Sequence, residues 1–191
     1  MNIRNIFFYL YLCLAFPLHG VAQAIWSSGF PFAEQLPSNE MTCLHQDRDG
    51  FIWVGTTGGL ARYDGYRLQI FQSGSPEGPC LSHNHVTCIA EDSLFLWVGT
   101  TQGLNCIDKQ TYQIAPPEKR TLQNAYIRSL CSDGRNTVWA ATDDRLFAFR
   151  LSPAPTDTLL LPQPGRLRSR INTLYYDRKD ERLWICTNGG V

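Results

Sequence analysis

The stretch FIWVGTTGGLARYDG, residues 51–65, decides the fold of this protein. A segment this rich in glycine is typical of a loop that binds a phosphate group, or of one copy of a repeated structural unit. A phosphate-binding loop occurs once in its site and opens a helix, whereas a repeated unit recurs at a regular spacing. The remainder of the sequence distinguishes these two interpretations.

The stretch is one copy of a unit that occurs four times. FIWVGTTGGL at 51–60 recurs as FLWVGTTQGL at 95–104 and, less closely, as TVWAATDDRL at 137–146 and RLWICTNGGV at 182–191. The anchoring tryptophans are separated by 44, 42 and 45 residues and are Trp53, Trp97, Trp139 and Trp184. The threonines found three residues after them are Thr56, Thr100, Thr142 and Thr187. Because the unit is repeated and is followed by another strand-like run, the phosphate-loop interpretation is excluded.

Each unit has the pattern of four short strands. In the first copy we predict strands at Met41–Gln46, Phe51–Thr56, Leu60–Tyr63 and Arg67–Phe71, separated by glycine-containing turns. Four antiparallel strands in ~44 residues form the blade of a β-propeller. The predicted fold is therefore all-β, with repeats at about 41–71, 86–115, 127–151 and 171–191. Three blades and half of a fourth make an incomplete ring.

Both alternating faces of the strand at 51–55 are apolar, which is expected when neighbouring blades cover the sheet on both sides. We therefore expect the repeated tryptophans to fill the space between blades.

The third copy departs from the pattern because Arg145 stands where the other copies have Gly59, Gly103 and Gly190. If that position has a positive φ, arginine costs ~1–2 kcal/mol there, unless the turn is rebuilt. The proline-rich stretch at 152–165 predicts a long connection to the fourth blade.

Residues 1–24 have the order of a secretory signal peptide: a positive charge, an apolar run at Ile6–Leu18, and VAQA before a cleavage site after Ala24. The bulky residues before Cys13 disfavour a lipoprotein signal. The partial propeller then occupies 25–191, with a first strand expected at Ile25–Phe32. We expect an exported chain in which the other six cysteines are mostly free, buried thiols.

Composition excludes several functions. Seventeen basic and seventeen acidic residues balance, so no electrostatic attraction to nucleic acid or an anionic membrane is expected. The spacing of cysteines and histidines predicts no metal site or cofactor, and catalytic residues are not recognisable. Ligand-binding residues cannot be assigned from the sequence. Tyr66, Tyr112 and Tyr126 are candidates for stacking on sugar rings, but packing within strands or loops explains each of them more simply.

The segment DRDGFIWVGTTGGLARYDG, with the approaches LPSNEMTCLHQD and LSHNHVTCIAED, resembles the two-component regulator propeller repeat of bacterial sensor histidine kinases. The resemblance implies a periplasmic propeller that follows a signal peptide and precedes a membrane helix, a kinase and often a response regulator. It further implies a small-molecule ligand such as an oligosaccharide, anchoring in the inner membrane, and a homodimer. Family propellers usually have seven blades, so we expect an N-terminal part of a longer sensor, completed by the remaining blades.

Two alternatives stay open at this point. The chain could be a secreted propeller enzyme, such as a quinoprotein dehydrogenase or a lyase, or a propeller used only as a scaffold for protein interactions. Quinoprotein propellers resemble this chain in repeating tryptophan, but their Thr-Gly pair precedes the tryptophan. Here a Gly-Thr pair follows it in the two best copies, Trp53 and Trp97. That order favours the sensor family.

Overall fold

The computed structural model of the protein describes residues 32–74, 80–115, 122–150, 157–160 and 169–190. The predicted signal peptide lies outside the described residues, as does the strand predicted at Ile25–Phe32 apart from Phe32 itself. Most of the proline-rich connection at 152–165 lies outside them as well.

The described residues form strands, with one short 3-10 turn at Ala33–Gln35. The strands are β1 Met41–Gln46, β2 Ile52–Thr56, β3 Leu60–Tyr63, β4 Leu68–Phe71, β5 Val86–Glu91, β6 Phe95–Thr100, β7 Gly103–Asp108, β8 Ile114–Ala115, β9 Ser129–Ser132, β10 Thr137–Ala141, β11 Leu146–Arg150, β12 Asp157–Leu160, β13 Ile171–Asp177 and β14 Arg182–Thr187. The four strands predicted for the first unit are all present, two of them starting one residue later than predicted.

Sequence-adjacent strands pair antiparallel to form four separate sheets. Blade 1 is β1-β2-β3-β4, blade 2 is β5-β6-β7-β8 and blade 3 is β9-β10-β11-β12, while blade 4 comprises only β13-β14. The predicted fold class, three blades and half of a fourth, is confirmed. The fourth strand of blade 3 lies at Asp157–Leu160, beyond the end at 151 that the sequence predicted, because the surrounding prolines obscure its pattern.

The blades follow one another in an open arc. Their first strands contact each other in succession, β1 with β5, β5 with β9 and β9 with β13. The ring is not closed within the described residues.

Hydrophobic side chains fill the space between successive blades. Trp53 of blade 1 packs with Val86 and Leu96 of blade 2, and Trp97 of blade 2 packs with Ile127 and Phe147 of blade 3. Trp139 is half-buried beside blade 4, where its ring stacks on that of Tyr176 with centroids 4.9 Å apart. The arc ends at Trp184, which is 42% exposed, because no described blade lies beyond it.

The first glycine of the Trp-x-Gly-Thr pattern allows the blades to approach closely. A Cβ atom at Gly55 would lie 2.7 Å from Cγ1 of Val86 in the next blade. A Cβ atom at Gly99 would lie 2.7 Å from Cγ2 of Ile127, again in the next blade. Real Cβ atoms do not approach carbon atoms this closely, so a side chain there would push the blades apart.

The cysteines of the propeller have free thiols. Cys106 is buried, whereas Cys80 is exposed and the remaining four are intermediate. Burial raises the pKa of Cys88 to about 12 and also raises the pKa of Cys106. Since the thiolate is the reactive form, the thiols of Cys88 and Cys106 serve as small apolar side chains of the core. The expectation that most of the six cysteines are buried is wrong, because Cys106 alone among them is fully buried.

Candidate functional site

Each repeated tryptophan in blades 1 and 2 is held by an aspartate. The indole Nε1 of Trp53 donates to Oδ2 of Asp47 at 2.7 Å, and that of Trp97 donates to Oδ2 of Asp92 at 2.5 Å. The other carboxylate oxygen of each aspartate accepts backbone N–H groups of the following turn, including that of Phe51 or Phe95. One buried carboxylate therefore closes the turn and fixes the indole ring. Nothing in the repeat pattern indicated the bond between aspartate and tryptophan.

The repeated threonines close the turn that follows the tryptophan strand. The hydroxyl of Thr56 donates to the carbonyl oxygen of Gly59 at 2.8 Å, that of Thr100 to Gly103 at 2.9 Å and that of Thr187 to Gly190 at 2.9 Å. The three glycines have φ values of +148°, +130° and +122°, a region that side chains disfavour. Threonine and glycine therefore belong to the blade, not to a ligand site.

The third copy rebuilds this turn without a glycine. Arg145 is not among the described non-glycine residues with positive φ, so the strain expected for arginine there does not arise. The hydroxyl of Thr142 is 3.4 Å from the carbonyl oxygen of Arg145, longer than in the other copies, and it accepts the backbone N–H of Arg145 at 3.2 Å. The changed turn leaves the arginine side chain beside a cleft.

The register of the strands brings three kinds of segment to one end of each four-stranded blade, as blade 1 shows. Met41 at the start of β1 pairs with Thr56 at the end of β2, and Leu60 at the start of β3 pairs with Phe71 at the end of β4. The approach to the first strand, the turn between the second and third strands, and the exit to the next blade therefore share one end. We call this end the lead-in face.

A cleft of about 280 Å³ opens on the lead-in face of blade 3. It lies between the approach to β9 and the turn from β10 to β11, and we call it the lead-in cleft. Its lining comprises Leu122, Ala125, Tyr126, Thr142, Asp143, Asp144, Arg145 and Phe147. Apolar side chains with a few polar groups are the usual lining of a small-molecule site.

An ion-pair group stands at the edge of this cleft. Nε of Arg128 donates to Oδ1 of Asp143 at 2.6 Å, and Nε of Arg170, in the approach to β13, lies 3.1 Å from the same oxygen. The hydrogen bond from Arg128, reinforced by the positive charges of both arginines, holds the pKa of Asp143 below its usual range. Asp143 is 54% exposed, so the group is open to solvent. It joins blade 3 to the start of blade 4.

The three candidate tyrosines have different surroundings. Tyr126 lines the lead-in cleft, and the guanidinium carbon of Arg128 lies 4.0 Å above its ring centroid. Tyr112 is covered by Arg62 at 3.9 Å, which leaves it packed between blades 1 and 2. Tyr66 is 87% exposed in the turn between β3 and β4, away from the cleft. Among the three, Tyr126 is the one that lines the lead-in cleft.

In the part of the chain that the structure describes, His, Cys, Asp and Glu side chains form no group able to hold a metal ion. The same part of the chain contains no helix of the length and apolar character that a membrane span requires.

Residues 35–58, which run from the approach to β1 through the turn after Thr56, match the family described as Two component regulator propeller. The match confirms the resemblance drawn from the sequence of this repeat. No curated protein sequence matches the chain.

Solved structures share the fold at low sequence identity. The extracellular domain of the hybrid two component system BT3049 from B. thetaiotaomicron aligns with a TM-score of 0.61 and 19% identity, over 84% of this chain and 23% of that domain. The computationally designed Ika4 protein gives 0.59 and 16%, over 79% and 87% of the two chains. A streptogramin B lyase gives 0.53 and 16%, over 82% and 54%. These likenesses establish the blade fold, and the chain spans less than a quarter of the extracellular domain it matches.

Proposed function

The chain carries a two-component regulator propeller repeat, and from this premise we propose that it is the N-terminal, periplasmic, ligand-sensing region of a two-component sensor histidine kinase. The sensed molecule is a small ligand such as an oligosaccharide, and the output is a phosphorelay that controls gene expression. The match at residues 35–58 carries the proposal, because the fold alone is shared with a lyase and with a designed protein.

The two ends of the arc support a longer propeller. Leu44 on β1 and Ile70 on β4 are 70% and 44% exposed in blade 1, the first blade of the arc. At the other end, Tyr175 and Trp184 are opposite each other in the register of β13 and β14, and both are exposed. Large exposed apolar side chains on a sheet face mark an interaction surface. In our proposal the remaining blades of the parent protein cover these faces.

Signalling through such a propeller needs two states that the ligand binds with different affinity. The lead-in cleft is lined by residues of blade 3 and its approach, and the ion pair between Asp143 and Arg170 links its edge to the approach of blade 4. In our proposal, binding biases the arrangement of the blades, and a homodimer anchored in the inner membrane passes this bias to its kinase region.

A genetic experiment tests this function. The codons for residues 41–160 are deleted in frame in the native host, and transcription is compared with the parent strain during growth on a panel of purified glycans. We expect one set of genes to be induced by one glycan in the parent and not in the deletion strain. Restoring the codons at the native locus is the control and should restore induction.

Unchanged induction of every gene set in the deletion strain would contradict a sensory role for the propeller. A growth defect on all carbon sources, without loss of a specific induction, would contradict it as well, because it would indicate a general structural role in the envelope.

A further inference from the structure

Building on the proposed sensory role, we propose that the lead-in cleft binds an anionic saccharide, whose carboxylate or sulfate group is held by Arg128 and Arg170 and whose ring stacks on Tyr126.

The first observation is an excess of positive charge. Two guanidinium groups share the single carboxylate of Asp143, so the group carries one net positive charge. Asp144 and Arg145, which also line the cleft, carry one negative and one positive charge. The site therefore favours a ligand with a negative charge, and the partial exposure of both arginines, 22% and 47%, leaves them accessible to it.

The second observation is that Arg128 and Arg170 contact Asp143 through Nε and not through their terminal Nη atoms. Both arginines approach Asp143 through Nε, and among the described residues their Nη atoms form no hydrogen bond. A guanidinium group has five N–H donors in a planar arrangement that matches carboxylate and sulfate oxygens. The Nη atoms are thus not occupied by Asp143, and in our proposal they donate to the incoming anion.

The third observation is that these charges are absent from the other copies of the repeat. The positions equivalent to Arg128 and Asp143 are Thr42 and Thr57 in blade 1, and Thr87 and Thr101 in blade 2. Thr87 donates to the carbonyl oxygen of Ile127, which shows that a neutral residue suffices to connect neighbouring blades at this position. The construction of a blade therefore does not require the ion-pair group. A departure from a repeated pattern is the expected signature of a functional position.

The fourth observation is the aromatic ring beside the charges. Tyr126 is 36% exposed, and the guanidinium carbon of Arg128 lies 4.0 Å from its ring centroid, so one face of the ring is covered by Arg128 and a ligand would stack on the other. Phe147 and Leu122, both almost fully buried, also line the cleft. An aromatic ring next to a charged donor fits a pyranose that presents an apolar C–H face and one anionic substituent.

The test measures binding to the full chain by saturation-transfer NMR and calorimetry. The probes are glucuronate, glucose 6-sulfate and glucose, which share one ring and differ at one substituent. We expect at least one of the two anionic sugars to bind about tenfold more tightly than glucose, as one added charge-assisted hydrogen bond implies. Rising salt should weaken this binding, because the ion-pair group is exposed. Preference for glucuronate identifies a carboxylate ligand, and preference for glucose 6-sulfate a sulfated one.

Three variants locate the site. Arg170→Gln should weaken binding of the preferred anionic sugar about tenfold. Tyr126→Phe should retain binding because it keeps the ring, whereas Tyr126→Ala should lose it. Arg182→Gln is the matched control, since Arg182 is an exposed arginine at the far end of the same blade. It should bind as the parent does.

Equal affinity for glucose and both anionic sugars, or no binding of either anionic sugar, would overturn the proposal. So would equal losses in Arg170→Gln and Arg182→Gln, because they would indicate a nonspecific charge effect. If Arg170→Gln changes only stability, the ion pair is a structural connection between blades 3 and 4, and the proposal is wrong. The transcription experiment does not depend on this chemistry, so induction by a neutral glycan there would retain the sensory role while removing the anionic ligand.

Discussion

Trp97 and Trp184 occupy the same position of the same repeat, yet the structure places them in opposite environments. Trp97 is 0% exposed between blades 2 and 3 and donates to the buried Asp92. Trp184 is 42% exposed at the open end of the arc. The difference shows that each repeat supplies a tryptophan that becomes buried only when the next blade packs against it. The blade therefore acquires its core from the next copy, as expected for stacked repeats.

The largest effect is expected from removing the covered tryptophan. Trp97→Ala should lower the free energy of unfolding by about 4 kcal/mol, because it removes a large buried side chain and leaves Asp92 without the indole donor. Trp184→Ala, the matched control, should change the stability of this chain by less than about 1 kcal/mol. Chemical denaturation followed by circular dichroism measures both. Equal losses for the two variants would contradict the dependence of the blade core on its neighbour.

A smaller effect is expected where the next blade approaches the backbone. A Cβ atom at Gly99 would lie 2.6 Å from Sγ of Cys88 and 2.7 Å from Cγ2 of Ile127, so Gly99→Ala should destabilise the chain by about 2 kcal/mol. Blade 3 already carries Ala141 at this position, so Ala141→Gly should have a clearly smaller effect. The same denaturation experiment compares them, and a neutral Gly99→Ala would show that the blades are less tightly packed than the structure indicates.

The smallest effect is expected at the exposed ion-pair group. The pKa of Asp143 is lower in the folded chain than in the unfolded chain, so its contribution to stability is present above the unfolded pKa and is lost as the pH falls through the folded pKa. Because the pair is exposed, Asp143→Asn should change stability at neutral pH by less than about 1 kcal/mol. The variant should also lose less of its free energy of unfolding than the parent as the pH falls into the acidic range. An acid limb identical to that of the parent would contradict the assigned contact.

The sequence alone predicted the blades because their determinants are local and repeated. The spacing of Trp53, Trp97, Trp139 and Trp184 indicated the unit, and the glycine-containing turns between short runs indicated its strands. The fourth strand of blade 3 at Asp157–Leu160 escaped prediction because it lies among prolines and pairs with β11 only in the folded chain.

The lead-in cleft could not be predicted for a different reason. Arg128, Asp143 and Arg170 belong to three separate segments, and none of them matches the repeat pattern. Only the register of the strands and the order of the blades bring both arginine side chains to one carboxylate oxygen of Asp143. A residue-by-residue comparison of the four copies could have identified these departures, although not their contacts.

The most direct measurement of the central claim is the DNA sequence downstream of codon 191 in the native gene. The account predicts an open reading frame with further Trp-x-Gly-Thr units, a hydrophobic segment of about 20 residues that crosses the membrane, and a histidine kinase region with its phosphoacceptor histidine. A stop codon directly after Val191, together with a stable secreted product, would contradict a sensor histidine kinase.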